Sequence, residues 1–200
     1  MKQYAVIGDP ISHSLSPLLH NEIYSQIGTL ISYKKQQIAK SGLSSFVSNN
    51  QIKFYNVTIP HKESILPYLK SLDNIASEIG AVNCVMDQKG FNTDWLGFKY
   101  AMINNDVDIK DKNCLIIGAG GAAKAIAYTL IQSKAKSINI FNRSKNKKRN
   151  LDSWINSYGI KNNIIEIPDL IINCTPIGMW PKIELLPFNI KEIHKHQIII

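Results

Sequence analysis

The segment Asn56-Val57-Thr58-Ile59-Pro60-His61-Lys62 sets a basic side chain where stability alone does not ask for one. Proline is favoured at the first positions of a helix, so Pro60 predicts a helix over His61–Leu69 with Lys62 in its first turn. Aligned peptide dipoles make that end positive and disfavour a cation. The same field favours the neutral amine, which suits a group that must give and take a proton near neutrality. Glu63 offsets the field if Lys62 is only a surface residue; the chemical reading is preferred. Asp94, in Asn92-Thr93-Asp94-Trp95, reads either as the cap of the helix that follows or as a carboxylate that orients Lys62 and shares its proton. Ser14 and Ser16 offer hydroxyls beside the free amides of another helix start, a fit for a carboxylate, with Ser16 equally explained as an N-cap ahead of Pro17. Thr58 and Asn83 are polar among apolar strand neighbours and need partners, either backbone or ligand. His13 and His20 read as structural, and the His194 and His196 pair has no metal-ligand spacing, so no metal is expected.

A second chemistry is written between Asn113 and Ser144. A short apolar strand runs into Gly118-Ala119-Gly120-Gly121-Ala122-Ala123, then a helix-length apolar segment, then a second strand over Ser137–Phe141. This is the βαβ context of a dinucleotide fingerprint. Gly118 allows the sharp turn, Gly120 lets backbone approach a pyrophosphate, and Ala123 permits close helix packing, with the phosphates on the exposed amides of the helix. An NAD site usually carries Asp or Glu about 20 residues after the glycines, to bind ribose hydroxyls. Here the second strand ends in Asn142-Arg143-Ser144 with no acid, followed by Lys145, Lys147, Lys148 and Arg149. Arg143 suits a ribose phosphate, so the cofactor is read as NADP, while Lys145 and Lys148 read as the solvated start of a helix.

These groups must be carried by elements. The pattern predicts strands over Tyr4–Ile7, Ile31–Ile38 and Ile52–Ile59, and a first helix with Leu19, Ile23 and Ile27 at helical spacing. It further predicts a short helix over Leu43–Val47, a helix capped by Asp73 and closed by Gly80, and a hairpin of Ala81–Met86 with Lys89–Thr93 around Gln88. Trp95–Asn104 reads as helix and the polar Asp106–Asp111 as a linker. Beyond the βαβ unit, Leu151–Tyr158 reads as helix, Ile164–Ile167, Leu170–Cys174 and Gln197–Ile200 as strands, and Leu185–Ile193 as helix. Thr175-Pro176-Ile177-Gly178-Met179 then falls at a strand's carboxyl end, where open parallel sheets bind ligands.

The 200 residues allow one large or two small domains, and 44% hydrophobic with 19% charged is ordinary globular composition. The net charge of +8 is spread from Lys2 to Lys195 without interleaved aromatics, so no nucleic acid is expected as a partner, only a bias toward anionic ligands. Cys84, Cys114 and Cys174 form no Cys-x-x-Cys pair and read as reduced core thiols, implying the cytoplasm. No segment has the length and apolarity of a membrane span or a signal peptide.

Taken together the motifs resemble the shikimate dehydrogenase family. The resemblance rests on Gly8 to Pro17 with His20-Asn21, Asn56 to Lys62, Ile79 to Asn83, Asn92 to Phe98, Gly118 to Ala122, Asn142-Arg143-Ser144, and Asn173 to Met179, in the family's order. It implies an α/β protein: an N-terminal substrate and catalytic domain over residues 1–104, followed by a Rossmann-type NADP-binding domain over 105–200. It also implies reversible NADPH-dependent reduction of 3-dehydroshikimate to shikimate, in aromatic amino acid synthesis. By motif position Lys62 and Asp94 match the catalytic pair, and Ser14, Ser16, Thr58 and Asn83 match substrate contacts. Gly118, Ala119, Gly120, Gly121 and Ala122 match the phosphate turn. Asn142, Arg143, Ser144 and Lys147 match the grip on the ribose phosphate, and Thr175 and Met179 fall near the nicotinamide. Phe54-Tyr55 stands where the family commonly has a glycine. The family also continues past the position of Ile200, through a glutamine that touches substrate and a last helix returning to the first domain, so a chain lacking its C-terminal part is expected. The competing expectations are a quinate or shikimate dehydrogenase using NAD, a truncated and inactive ligand-binding remnant, and, more remotely, a folate dehydrogenase. A homodimer is left open.

Overall fold

Tyr4, Ala5, Val6 and Ile7 form the strand on which the first sheet is built, and their alternation assigns one pair to each face. In the computed structural model, which describes residues 2–49, 51–160, 167–181, 183–187 and 193–200, this strand is β1 (Lys2–Gly8). The chain divides into two units, Met1–Thr93 and Asp94–Ile200.

The first unit continues with α1 (Ser16–Gln26), β2 (Ile31–Gln37), α2 (Leu43–Asn49), β3 (Phe54–Val57), α3 (His61–Ser64), β4 (Ser71–Leu72), α4 (Asn74–Ile79), β5 (Cys84–Met86) and β6 (Lys89–Phe91). Its sheet has the order β2-β1-β3-β5-β6-β4. β1 runs parallel to β2 and β3, while β3, β5 and β6 alternate in direction. Ala5 and Ile7 bury one face against Leu43, Val57, Ile65 and Val85; Tyr4 and Val6 turn to the other, with Ile11, Tyr24 and Tyr33. The Asp73 cap is as expected: its carboxylate accepts from the Ala76 amide at 2.8 Å, and Gly80 closes α4 at φ +67°. Asp87 and Gln88 both take positive φ in the two-residue turn of the β5–β6 hairpin.

Several elements differ from the expected ones. α3 is four residues long instead of nine, and a 3₁₀ turn over Leu66–Tyr68 follows it. Pro67 has no amide to donate and disfavours α geometry at Leu66, so the helix stops before it. So short a helix carries little macrodipole, so the field it sets at Lys62 is weak. Ser16 is the first helical residue and does not cap; Leu15 holds the cap position with no side-chain bond, and Ser14 Oγ accepts the Ser16 amide at 3.3 Å. Leu19, Ile23 and Ile27 keep their spacing, yet α1 has no buried residue. β3 is four residues against the eight expected, and the two-residue β4, parallel to β6, is too short for any periodicity to announce.

The second unit comprises α5 (Asp94–Asn104), β7 (Asn113–Ile117), α6 (Gly121–Gln132), β8 (Ser137–Phe141), α7 (Lys145–Asn156), β9 (Leu170–Asn173) and β10 (Ile198–Ile199). It takes in the polar Asp106–Asp111 stretch, and α5 packs on α6: Thr129 Oγ1 donates to the Trp95 carbonyl at 2.7 Å, and the Trp95 and Tyr128 rings meet edge to face. The sheet order is β10-β9-β7-β8, every pair parallel. Cys114 and Ile116 on β7, Ile138 and Ile140 on β8, and Leu170 and Ile172 on β9 bury one continuous core with Ala123, Ala127 and Leu130 of α6 and Leu151 and Ile155 of α7. α7 starts at Lys145, in line with the reading of Lys145 and Lys148 as a solvated helix start, and runs on into the segment expected from Leu151; Ser144 caps it, its Oγ accepting the Lys147 amide at 3.4 Å. The expected strand over 164–167 falls largely, and the helix over 185–193 mostly, outside the described residues.

Candidate functional site

In the second unit three strand ends deliver three loops to one place. β8 and β9 lie on opposite sides of β7, so the strand order switches direction at β7, the position where open parallel sheets leave a ligand crevice. Gly118 follows β7 with φ +116°, a conformation that penalises any side chain, and an added Cβ would stand 3.1 Å from the Cys174 carbonyl oxygen. The Gly118 amide donates to Phe141 O at 2.8 Å and the Cys174 amide to Ile117 O at 2.8 Å, tying this turn to the ends of both neighbouring strands. Gly120 is the N-cap of α6, and a Cβ there would meet nothing within 4 Å, so its surface is open to a ligand. Ala123, one turn in, is fully buried against the sheet. Gly121 and Ala122 open α6 with no acidic side chain in its first turn to repel an anion.

At the end of β8 the Asn142 side chain donates to the Ser144 carbonyl at 3.0 Å, holding the turn that presents Arg143 to solvent. Ser144 and Lys147 belong to the cap and first turn of α7, and Lys148 pairs with Asp152 within the same helix, a structural use of that lysine. Asn173, at the end of β9, accepts from Thr175 N at 3.0 Å and Thr175 Oγ1 at 2.7 Å and donates to Ile177 O at 3.0 Å. It thereby shapes the loop on which Thr175 is half-buried and Met179 exposed. The open Gly120 surface, the acid-free helix start and the basic end of β8 fit the pyrophosphate and ribose phosphate of NADP.

The first unit holds another group of polar residues. Thr58 follows β3; its amide donates to Ile7 O at 3.0 Å and its carbonyl accepts from His61 N at 2.8 Å, setting the turn into α3. Gly8 is packed so closely there that a Cβ would meet Thr58 Cγ2 at 2.8 Å and Ile59 O at 2.9 Å. His61 is fully buried with Nε2 2.6 Å from Ile38 O, so that nitrogen carries the proton. Lys62 is half-buried, and its carbonyl accepts from Val82 N at 2.8 Å. Asn83 accepts from Thr93 N at 2.8 Å and donates to Thr93 Oγ1 at 2.9 Å. Sequence reasoning missed Thr93 as this partner, because nothing in local spacing marks a bond across a hairpin. Ser14 and Ser16 share a hydroxyl hydrogen bond of 3.2 Å at the start of α1. Asp94, the first residue of α5, belongs to the second unit and is half-buried. His20 stacks on Tyr33 at 4.3 Å, in keeping with a structural role, and burial pushes its pKa down. Among the described residues no group of three or more His, Cys, Asp or Glu could hold a metal ion, and no helix is long and apolar enough to cross a membrane.

Known proteins carry the same two-part organisation. The family model for the shikimate dehydrogenase substrate binding domain matches residues 6–85, and that for shikimate / quinate 5-dehydrogenase matches residues 100–175. The shikimate dehydrogenase (NADP(+)) of Methanosphaera stadtmanae is 40% identical over 200 residues, covering 91% of this chain and 70% of its own. Among solved structures, a shikimate dehydrogenase in complex with NADP+ superposes with a TM-score of 0.89 at 32% identity, covering all of this chain and 75% of the other. The Thermus thermophilus enzyme, solved with NADP(H) and shikimate, gives 0.84 at 27% identity over all of this chain and 77% of its own. With both domain matches in sequence order and that degree of identity over most of the relatives' length, this chain belongs to the shikimate dehydrogenase family.

Proposed function

We propose that this chain catalyses the reversible, NADP-linked interconversion of shikimate and 3-dehydroshikimate in aromatic amino acid synthesis. Residues 1–104 would bind substrate and carry the acid, and residues 105–200 would bind the cofactor. What carries the reading is the 40% identity to a shikimate dehydrogenase (NADP(+)) across 70% of that enzyme. The acid-free, arginine-bearing end of β8 favours NADP over NAD.

When bound, NADP supplies the hydride acceptor for oxidation and, reduced, the hydride donor for reduction. In the reducing direction the Lys62 ammonium donates its proton to the ketone oxygen as negative charge develops there; in the oxidising direction the neutral amine takes the hydroxyl proton. Asp94 keeps the amine oriented and shares the proton. Ser14 and Ser16 receive the substrate carboxylate, and Thr58 and Asn83 fix the ring. Gly118, Ala119, Gly120, Gly121 and Ala122 would hold the pyrophosphate, Asn142, Arg143, Ser144 and Lys147 would bind the ribose phosphate, and Thr175 and Met179 would lie near the nicotinamide.

Cys84, Cys114 and Cys174 are free thiols, with the Cys114 thiol pushed up to about 12 by burial, in keeping with a cytoplasmic enzyme. A homodimer is also proposed, which sedimentation would detect. Shikimate-dependent reduction of NADP, followed by nicotinamide absorbance, tests the activity; binding of both ligands without turnover would identify a ligand-holding remnant instead.

A further inference from the structure

Tyr33 is nearly inaccessible, and its surroundings fix it on every side. Asn21 of α1 clamps both of its backbone polar groups, accepting from Tyr33 N at 2.8 Å and donating to Tyr33 O at 3.0 Å. The His20 ring stacks on the phenol within 11° of parallel. From β2 the side chain reaches past β1, over Val6, and its hydroxyl donates to Asn56 Oδ1 on β3 at 2.5 Å. A phenylalanine would fill the same apolar cluster without the desolvation of a hydroxyl, so the oxygen is there for its bond.

That bond sets the Asn56 amide. With Oδ1 committed to Tyr33, Nδ2 faces the Asn83 carbonyl and donates to it at 3.3 Å, beside the Val57 amide at 2.8 Å. Asn83 in turn holds Thr93 through two side-chain bonds, and Thr93 directly precedes Asp94. One chain of bonds thus runs from α1 and β2 through β3 to the segment bearing Asn83.

We infer that Tyr33 is a positioning residue for substrate, its hydroxyl orienting Asn56 and thereby Asn83; this rests on the reading above that Asn83 contacts the substrate. Tyr33→Phe in the full chain keeps the ring and its stacking and removes only the bond. One such bond is worth about 1 kcal/mol, so KM and Kd for shikimate should rise about fivefold. The kcat and the KM for NADP should stay within about twofold, a split that general loosening of the fold would not produce. In an Asn83→Ala background Tyr33→Phe should add nothing, because the path it acts through is gone. An unchanged shikimate KM in Tyr33→Phe, or an equal further rise in the Asn83→Ala background, overturns the inference alone. An unchanged KM in Asn83→Ala by itself overturns the substrate role of Asn83, and the inference with it.

Discussion

The Lys62 carbonyl accepts the Val82 amide at 2.8 Å, one residue before Asn83. The proposed acid and a proposed substrate contact, 21 positions apart in sequence, are therefore stitched together by backbone, without relying on the Lys62 side chain. The four-residue helix α3, which carries Lys62, is held in place by this bond and by buried His61.

Cofactor choice should reside in Arg143. Replacing it with alanine removes the charge proposed to meet the ribose phosphate, and a charge-assisted bond is worth roughly 1.5–3 kcal/mol. The KM for NADP should rise about tenfold or more while that for NAD changes little, measured in parallel initial-rate assays. Equal effects on both cofactors would remove Arg143 from that role.

Gly118→Ala places a side chain at φ +116° and 3.1 Å from a backbone oxygen. A loss of about 1–3 kcal/mol is expected from chemical denaturation, together with weaker NADP binding. Gly120→Ala, whose Cβ meets nothing within 4 Å, should be stable yet still weaken NADP, which separates strain from ligand exclusion.

Acid should destabilise the first unit through His20. Burial lowers its folded-state pKa below 6.5, so the unfolded chain binds the proton more readily. The contribution from the neutral ring is full above about pH 6.5 and is lost as pH falls through the lower folded value. His20→Phe, which keeps a ring over Tyr33, should flatten the pH dependence of thermal stability on the acid side of neutrality. An unchanged slope would mean that other groups carry it.

Leu130 has no exposed surface and sits where α6 meets the parallel sheet. Leu130→Ala should cost about 2–5 kcal/mol in denaturant unfolding, with residual NADP affinity intact in the folded fraction.

The βαβ unit was legible because its strand residues, Gly118 and the apolar face of α6 all state the same local geometry. Asp73 and Gly80 were legible for the same reason, each being a cap whose chemistry is local. The start of α7 was legible in the reading of Lys145 and Lys148 as the solvated start of a helix, but residues 145–150 are polar and mostly solvent-facing, so the apolar period began only at Leu151. The end of α3 was also signalled, by Pro67, and was overrun. The bonds of Asn83 to Thr93 and of Tyr33 to Asn56 join residues ten and twenty-three apart, and no spacing rule reaches that far.

The most direct measurement is shikimate oxidation by Lys62→Ala, with NADP affinity determined on the same preparation. The account predicts a kcat lower by about 10² or more, as expected for removal of a general acid and base, with unchanged NADP binding. Turnover near the unsubstituted rate would contradict it.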